Sequence, residues 1–235
     1  IIIYIGMAKT ILEIICIMEH TFIRLQPKTQ TEKSQDLINL QLLDNISNSP
    51  KVILASGSPR RKKLLKQIGL SFDVIPSSIY EDFNLNLTPI NFAKYYANKK
   101  AEDVSIKYPN HLVIGADTIV VHKNNILGKP RNIENAFSML TKLSNNSHSV
   151  ITGVSLHIKN NKISKTFYSK TDVKIKRLTK KEITFYIKNY KPFDKAGSYG
   201  IQDWFASCVK KIDGCYFNVI GLPLNKLYEE LKKII

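Results

Sequence analysis

Six consecutive residues, Ser56-Gly57-Ser58-Pro59-Arg60-Arg61, place two hydroxyls and two guanidiniums where the apolar run Val52-Ile53-Leu54-Ala55 gives way to a helical pattern. Ser58 suits an N-cap and Pro59 the first helical position. The free N–H groups and positive dipole end of such a helix favour an anion. Guanidiniums in its first turn add bidentate recognition of oxygen atoms. The stretch fits a di- or triphosphate, and it also fits an ordinary capped helix with exposed arginines. Its spacing is neither that of a Walker A loop nor that of a dinucleotide fingerprint.

A second signal is Asp117, a carboxylate inside the otherwise apolar run Leu112–Val121. Burying a charge is costly unless it is paired or binds metal, so Asp117 needs either a nearby Arg or Lys or a cation. Gly128-Lys129-Pro130 presents a lysine at a tight turn ahead of a helix, where it acts on phosphate as a point charge. In Asp194-Lys195-Ala196-Gly197-Ser198-Tyr199-Gly200-Ile201-Gln202 two glycines bracket a tight turn, and the Gln202 amide can read a base edge. Glu81 and Lys100 carry no signal on their own.

These residues need elements to hold them. Leu64, Leu65 and Ile68 form a helical stripe after Pro59, with Gly69 as a stop. Phe72–Ile75 reads as a short strand, 91–106 as a helix, Leu112–Val121 as a strand, and Ile133, Ala136, Phe137, Leu140 and Leu143 keep helical spacing. Val150–Ile158 and Ile163–Val173 read as two strands joined by the turn Lys159-Asn160-Asn161-Lys162. Thr179-Lys180-Lys181-Glu182 fits a capping box, and Leu224, Leu227, Tyr228 and Leu231 a closing amphipathic helix. Strands alternating with helices, plus a hairpin, predict an α/β fold with a mixed sheet.

The chain has 235 residues and a formal net charge of +16. That length suits one domain with appendages. The basic residues are spread out, with only short clusters such as Lys99-Lys100 and Lys210-Lys211, so the charge reads as solvated lysine rather than a nucleic-acid-binding tail. The three cysteines, Cys16, Cys208 and Cys215, are too widely spaced for a disulfide framework or a zinc knuckle, which points to a reducing, cytoplasmic setting. Residues 1–49 differ from the rest and read as an extension. Ile11–Met18 is apolar but short and interrupted by Glu13, unlike a membrane span. The chain opens without an initiator Met, and Met7 is a candidate start.

Taken in order, the motifs resemble the Maf/ASMTL-like family of nucleoside triphosphate pyrophosphatases. The resemblance runs from about Lys51 to Leu231 and rests on Leu54–Arg61, Gly115-Ala116-Asp117-Thr118, Leu127–Pro130, Thr152-Gly153-Val154, Lys195–Gln202 and Asn218–Pro223. It implies a Maf-like domain over 50–235, with an elongated mixed sheet flanked by helices and two lobes around a deep nucleotide-binding cleft. It implies hydrolysis of a triphosphate to monophosphate and pyrophosphate with Mg²⁺ or Mn²⁺. The phosphate-binding positions fall on Ser56, Ser58, Arg60, Arg61, Lys100 and Lys129, and the catalytic and metal-facing acids on Glu81 and Asp117. Arg60, Thr118 and Gln202 match positions linked to base choice, in the pattern of the dTTP/UTP branch. Family members are often dimers, so the resemblance allows a homodimer, and no stable nucleic acid or membrane partner is expected.

The sequence departs from the family pattern in two places. Asp203, followed by Trp204 and Phe205, stands after Gln202 where a glycine is usual, predicting a bulkier, more acidic loop beside the base pocket. In Tyr80-Glu81-Asp82 two acids compete for one role, and distance from Phe72 favours Glu81. Two rival functions remain at this level: a non-catalytic, nucleotide-sensing regulator of cell division, and a nucleic-acid-binding module driven by the positive charge.

Overall fold

A computed structural model describes residues 50–234; the extension, with Met7 and Ile11–Met18, falls outside them. The ordered elements are β1 (Val52–Leu54), α1 (Pro59–Gln67), β2 (Asp73–Val74), α2 (Pro89–Lys107), β3 (Leu112–His122), β4 (Asn125–Leu127), α3 (Ile133–Leu143), β5 (Ser147–Ile158), β6 (Ile163–Ile175), α4 (Lys180–Tyr190), β7 (Val209–Asp213), α5 (Tyr216–Ile220) and α6 (Leu224–Leu231). The predicted mixed α/β architecture is present. Seven strands form one sheet in the order β2-β1-β3-β5-β6-β7, with β4 also paired to β3.

The pairing around β3 makes the site. On one edge β3 runs antiparallel to β5 from Val113 to Val121. On its other edge β1 pairs in parallel with Leu112–Ile114, and β4 pairs antiparallel with Val120–His122. Between those partners the edge around Asp117 has no strand beside it among the described residues. The sheet is notched there, and the carboxyl end of β1 opens into the notch. This is where open α/β sheets take ligands.

Sequence and structure agree on most elements for local reasons. The Ser58 hydroxyl accepts from Arg61 N, and Pro59 occupies the first turn of α1. Thr179 and Glu182 exchange side-chain and backbone bonds at the start of α4, the reciprocal pair of a capping box. Helix α2 begins earlier than its apolar spacing suggests, because Thr88 caps it and Pro89 opens it. Strand β4 was not foreseen. Its hairpin turns on Lys123 (φ 47°) and Asn124 (φ 64°), the left-handed pair of a tight turn without the usual glycine. Helix α5 and strand β7 were also unforeseen, each being five residues long. Among the described residues no helix is long and apolar enough to cross a membrane.

Helix α2 lies unusually close on the sheet. Its buried stripe Ala93, Ala97 and Ala101 faces Gly115 of β3 and Gly153 of β5. A Cβ at Gly115 would lie 2.3 Å from Ala97 O, and one at Gly153 would lie 2.2 Å from Ala93 O. Helix backbone therefore rests where side chains would otherwise stand, and this brings Lys100 of α2 down to Asp117.

Behind the notch, His148 of β5 is buried, with Nε2 2.7 Å from the Tyr199 hydroxyl and Nδ1 without a partner. Burial first, then the nearby His122, pulls its pKa from 6.5 down to about 4, against a weaker pull from Asp172. The ring is thus neutral when folded and protonates readily when unfolded. The unfolded chain binds the extra proton between those values, so stability is complete above about 6.5 and falls as pH drops toward 4. His148→Gln should remove about 3 kcal/mol of that acid sensitivity. Urea midpoints at pH 7 and pH 4.5 check it; an unchanged pH dependence in the variant would contradict it.

Candidate active site

A cavity of about 400 Å³ occupies the notch. Its floor starts at the turn between β1 and α1. Ser56 Oγ accepts from Ser58 N at 3.3 Å, which tightens the turn. Arg61 then points inward rather than outward. Its Nε donates to Gly221 O at 2.9 Å, one terminal nitrogen to Ser56 Oγ at 2.9 Å, and the other to Thr118 Oγ1 at 2.8 Å. This corrects the alternative of exposed arginines for Arg61, which is buried and whose pKa is lowered chiefly by that burial. Most of its five N–H groups are spent on the protein, so at most a minority remain for phosphate. Arg61→Lys loses the fork that joins three elements and should cost about 2–3 kcal/mol in urea unfolding. A loss below about 0.5 kcal/mol would show that those bonds contribute little.

Arg60, one residue earlier, lies at the rim. It pairs with the Asp194 carboxylate, and its second terminal nitrogen donates to Asp194 O at 3.2 Å. Lys195 Nζ also holds Asp194, at 2.8 Å. The two cations pull the Asp194 carboxyl down to about 2 against its partial burial. Asp194 and Lys195 both line the cavity, and neither was singled out from the sequence as a site residue. Their only signal was position, directly before the Gly197 turn.

Opposite α1 stands the acid pair. Lys100 Nζ lies 2.5 Å from Glu81 Oε1 and 2.7 Å from Asp117 Oδ1. The alternative that Asp117 is paired to a lysine is therefore realised for one oxygen. The other, Oδ2, is buried without a hydrogen-bond partner. Burial raises the Asp117 pKa, with Lys100 opposing and Glu81 adding to the rise. In Glu81 burial also pushes upward, but the charge and hydrogen bond of Lys100 outweigh it, and the carboxyl sits below its ordinary range. Asp82 does not share the site. Its Oδ1 accepts from Asn84 N at 2.9 Å, its backbone is tied to the Tyr96 hydroxyl, and it does not line the cavity.

The far wall brings in Gly128, Lys129 and the glycine-bracketed turn. Gly197 takes a left-handed φ of 66° and its N–H donates to Gly128 O at 3.0 Å, so the two turns are stitched together. Lys129 and Gln202 are exposed and line the cavity. Thr118 lines it too, but its hydroxyl is engaged by Arg61, by Thr152 Oγ1 at 3.0 Å and by Gly221 O at 3.3 Å. The crowding expected after Gln202 is only partly present. Trp204 packs on Phe185 and Tyr186, and Phe205 is buried against Tyr186 and Tyr199, so neither lines the cavity. Asp203 does, with its carboxylate accepting from the Tyr186 hydroxyl at 3.1 Å and Phe205 N at 3.0 Å.

The acid pair fits a hard divalent cation. Its donors are carboxylate oxygens, and one of them is buried and partnerless. No trio of His, Cys, Asp or Glu converges among the described residues. Two carboxylates suit an ion of the Mg²⁺ kind, which takes its remaining ligands from phosphate and water.

Residues 51–234 match the family of Maf-like proteins. The dTTP/UTP pyrophosphatase of Cytophaga hutchinsonii is 45% identical over 184 residues, which cover 78% of this chain and 84% of that protein. The dTTP/UTP pyrophosphatase of Ruminiclostridium cellulolyticum is 48% identical, covering 78% and 95%. That of Bacillus cereus is 42% identical over 197 residues, covering 84% and 96%.

Proposed function

Because the chain belongs to the family of Maf-like proteins, we propose that it is a nucleoside triphosphate pyrophosphatase that converts dTTP, UTP and related pyrimidine nucleotides to monophosphate and pyrophosphate. The observation that carries the reading is Asp117: a buried carboxylate with one free oxygen, beside Glu81, in a cavity also lined by the start of α1 and by Lys129. The names of the relatives supply the substrate class, and the site supplies the means.

In this reading the triphosphate lies across the first turn of α1. Ser58 caps that helix, and the backbone N–H groups there and on the Ser56–Ser58 turn meet phosphate oxygens. Lys129 and Lys100 neutralise the charge that grows on the departing pyrophosphate, the main lever in phosphoryl chemistry. Arg61 acts chiefly as a brace for Ser56 and Thr118. Asp117 takes the proton from the attacking water, and Glu81 shares the site with it. Mg²⁺ or Mn²⁺ between Glu81 and Asp117 would add positive charge at the phosphates and acidify water. Gln202 faces the base, and Thr118 affects base choice through the placement of Arg61. Arg60 meets the nucleotide only as far as Asp194 releases it.

The regulator reading needs nucleotide binding without turnover; against it, Glu81, Asp117, Lys100 and Lys129, to which the pyrophosphatase reading assigns turnover, line one cavity. Pyrophosphate release across dTTP, UTP, CTP, 5-methyl-UTP, GTP and 7-methyl-GTP, with Mg²⁺ or Mn²⁺, tests the proposal. Release foremost from dTTP and UTP is the expected result. Release only from 7-methyl-GTP would overturn the base assignment, and binding without release would favour the regulator.

A further inference from the structure

Lys100 stands where a second cation has to come. Its ammonium touches Glu81 at 2.5 Å and Asp117 at 2.7 Å, and its side chain is only 13% exposed. Asp117 is buried and Glu81 is 28% exposed, so water screens their repulsion only in part, and the positive charge between them offsets the rest. A divalent ion on the same acids would lie within a few ångströms of that ammonium, and the two cations would repel strongly. Asp117 Oδ2 is buried without a partner in this arrangement.

We propose that Lys100, before it meets phosphate, holds Glu81 and Asp117 as their resident cation, and that it yields them to the divalent metal only when nucleotide phosphate draws its ammonium away. The inference rests on the reading of these acids as metal-facing. The stem of Lys100 is flexible and its ammonium a compact point charge, so it can exchange one anion for another by side-chain rotation on a fixed α2. Phosphate and metal then load together. The free protein binds metal weakly, nucleotide strengthens metal binding, and by reciprocity metal strengthens nucleotide binding by the same factor. A metal that loads with its substrate leaves no vacant charged acid pair between turnovers.

The test is Mn²⁺ binding, followed by the loss of the free-ion electron paramagnetic resonance signal on titration into the full chain without nucleotide. Lys100→Met keeps the length of the side chain and removes the charge. It should bind Mn²⁺ at least tenfold tighter than wild type, and adding a non-hydrolysable α,β-methylene analogue of UTP should then strengthen Mn²⁺ binding less than it does in wild type. Equal or weaker Mn²⁺ binding by the variant would overturn the proposal. Should the variant fail to fold, wild type alone decides. The proposal expects a small thermal shift with Mn²⁺ alone and a shift with Mn²⁺ plus analogue larger than the sum of the separate ones. A wild type stabilised as much by Mn²⁺ alone as by the pair would overturn it. Pyrophosphate release measured on the same sample separates a failed handover from a failed assignment of activity.

Discussion

Asp117→Asn is expected to lower pyrophosphate release from UTP or dTTP by about 10³-fold, the range of a lost general base, while the protein stays folded and still binds nucleotide. The asparagine amide has the size of the carboxylate, and it can keep an oxygen for Lys100. It cannot take a proton from water, and it brings no charge to a cation. Stability should change little or rise, because the substitution removes a charge that burial already disfavours. Lys100 keeps Glu81 as its counter-ion at 2.5 Å, so no cation is left alone in the site. Kinetics would separate the roles. A fall in kcat with little change in KM marks an interaction made in the transition state, whereas a rise in KM alone would mark Asp117 as a binding group. Activity within tenfold of wild type would remove Asp117 from the chemistry and leave Glu81 as the remaining acid.

Asp117 was legible because a charge in an apolar strand has few physical excuses. The same holds for Ser58 and Pro59, which act within their own turn, and for Thr179 with Glu182, which cap a helix at fixed offsets. What could not be read were contacts fixed by the fold. Arg61 and Arg60 are neighbours in one helix, so their opposite fates follow from what each meets: Gly221, 160 residues on, for the first, and Asp194, 134 residues on, for the second. Local pattern carries no information at that range. Strand β4 escaped because a lysine sits where a hairpin usually carries Asn, Asp or Gly. Trp204 and Phe205 add bulk to the loop after Gln202, but sequence gives their size and neighbourhood without direction. The aromatic cluster on α4 draws them away, while Asp203 stays at the cavity. The glycines of Gly115-Ala116-Asp117 and Thr152-Gly153 stand out as motif, but their reason is helix α2, which Gly115 meets 14 residues back at Ala101 and Gly153 meets 60 residues back at Ala93.

Gly153→Ala carries the largest structural effect expected of a single methyl group in this protein. Gly153 sits opposite Asp117 in the β3–β5 ladder, and Gly115 lies two residues before Asp117 on the same face. The new Cβ would stand 2.2 Å from Ala93 O, 2.5 Å from Ala93 C and 2.8 Å from Lys94 N. Those atoms are helix backbone and cannot rotate away, so α2 or β5 has to move. Overpacking of this kind costs about 3 kcal/mol, which lowers the melting temperature by about 6–12 °C in a domain of this size. Activity should fall as well in the fraction that stays folded, since α2 carries Lys100, and a displaced α2 takes it out of reach of both the acid pair it holds and the phosphates it meets. Gly128→Ala is the matched control. Its Cβ would meet the ring end of Phe83 at 2.9 Å, and that side chain is 48% exposed and free to swing outward. Its cost should stay below about 1 kcal/mol. If calorimetry gave both variants the same small loss, the close approach of α2 would not be what buries Asp117, and the raised pKa of that carboxylate would need another cause.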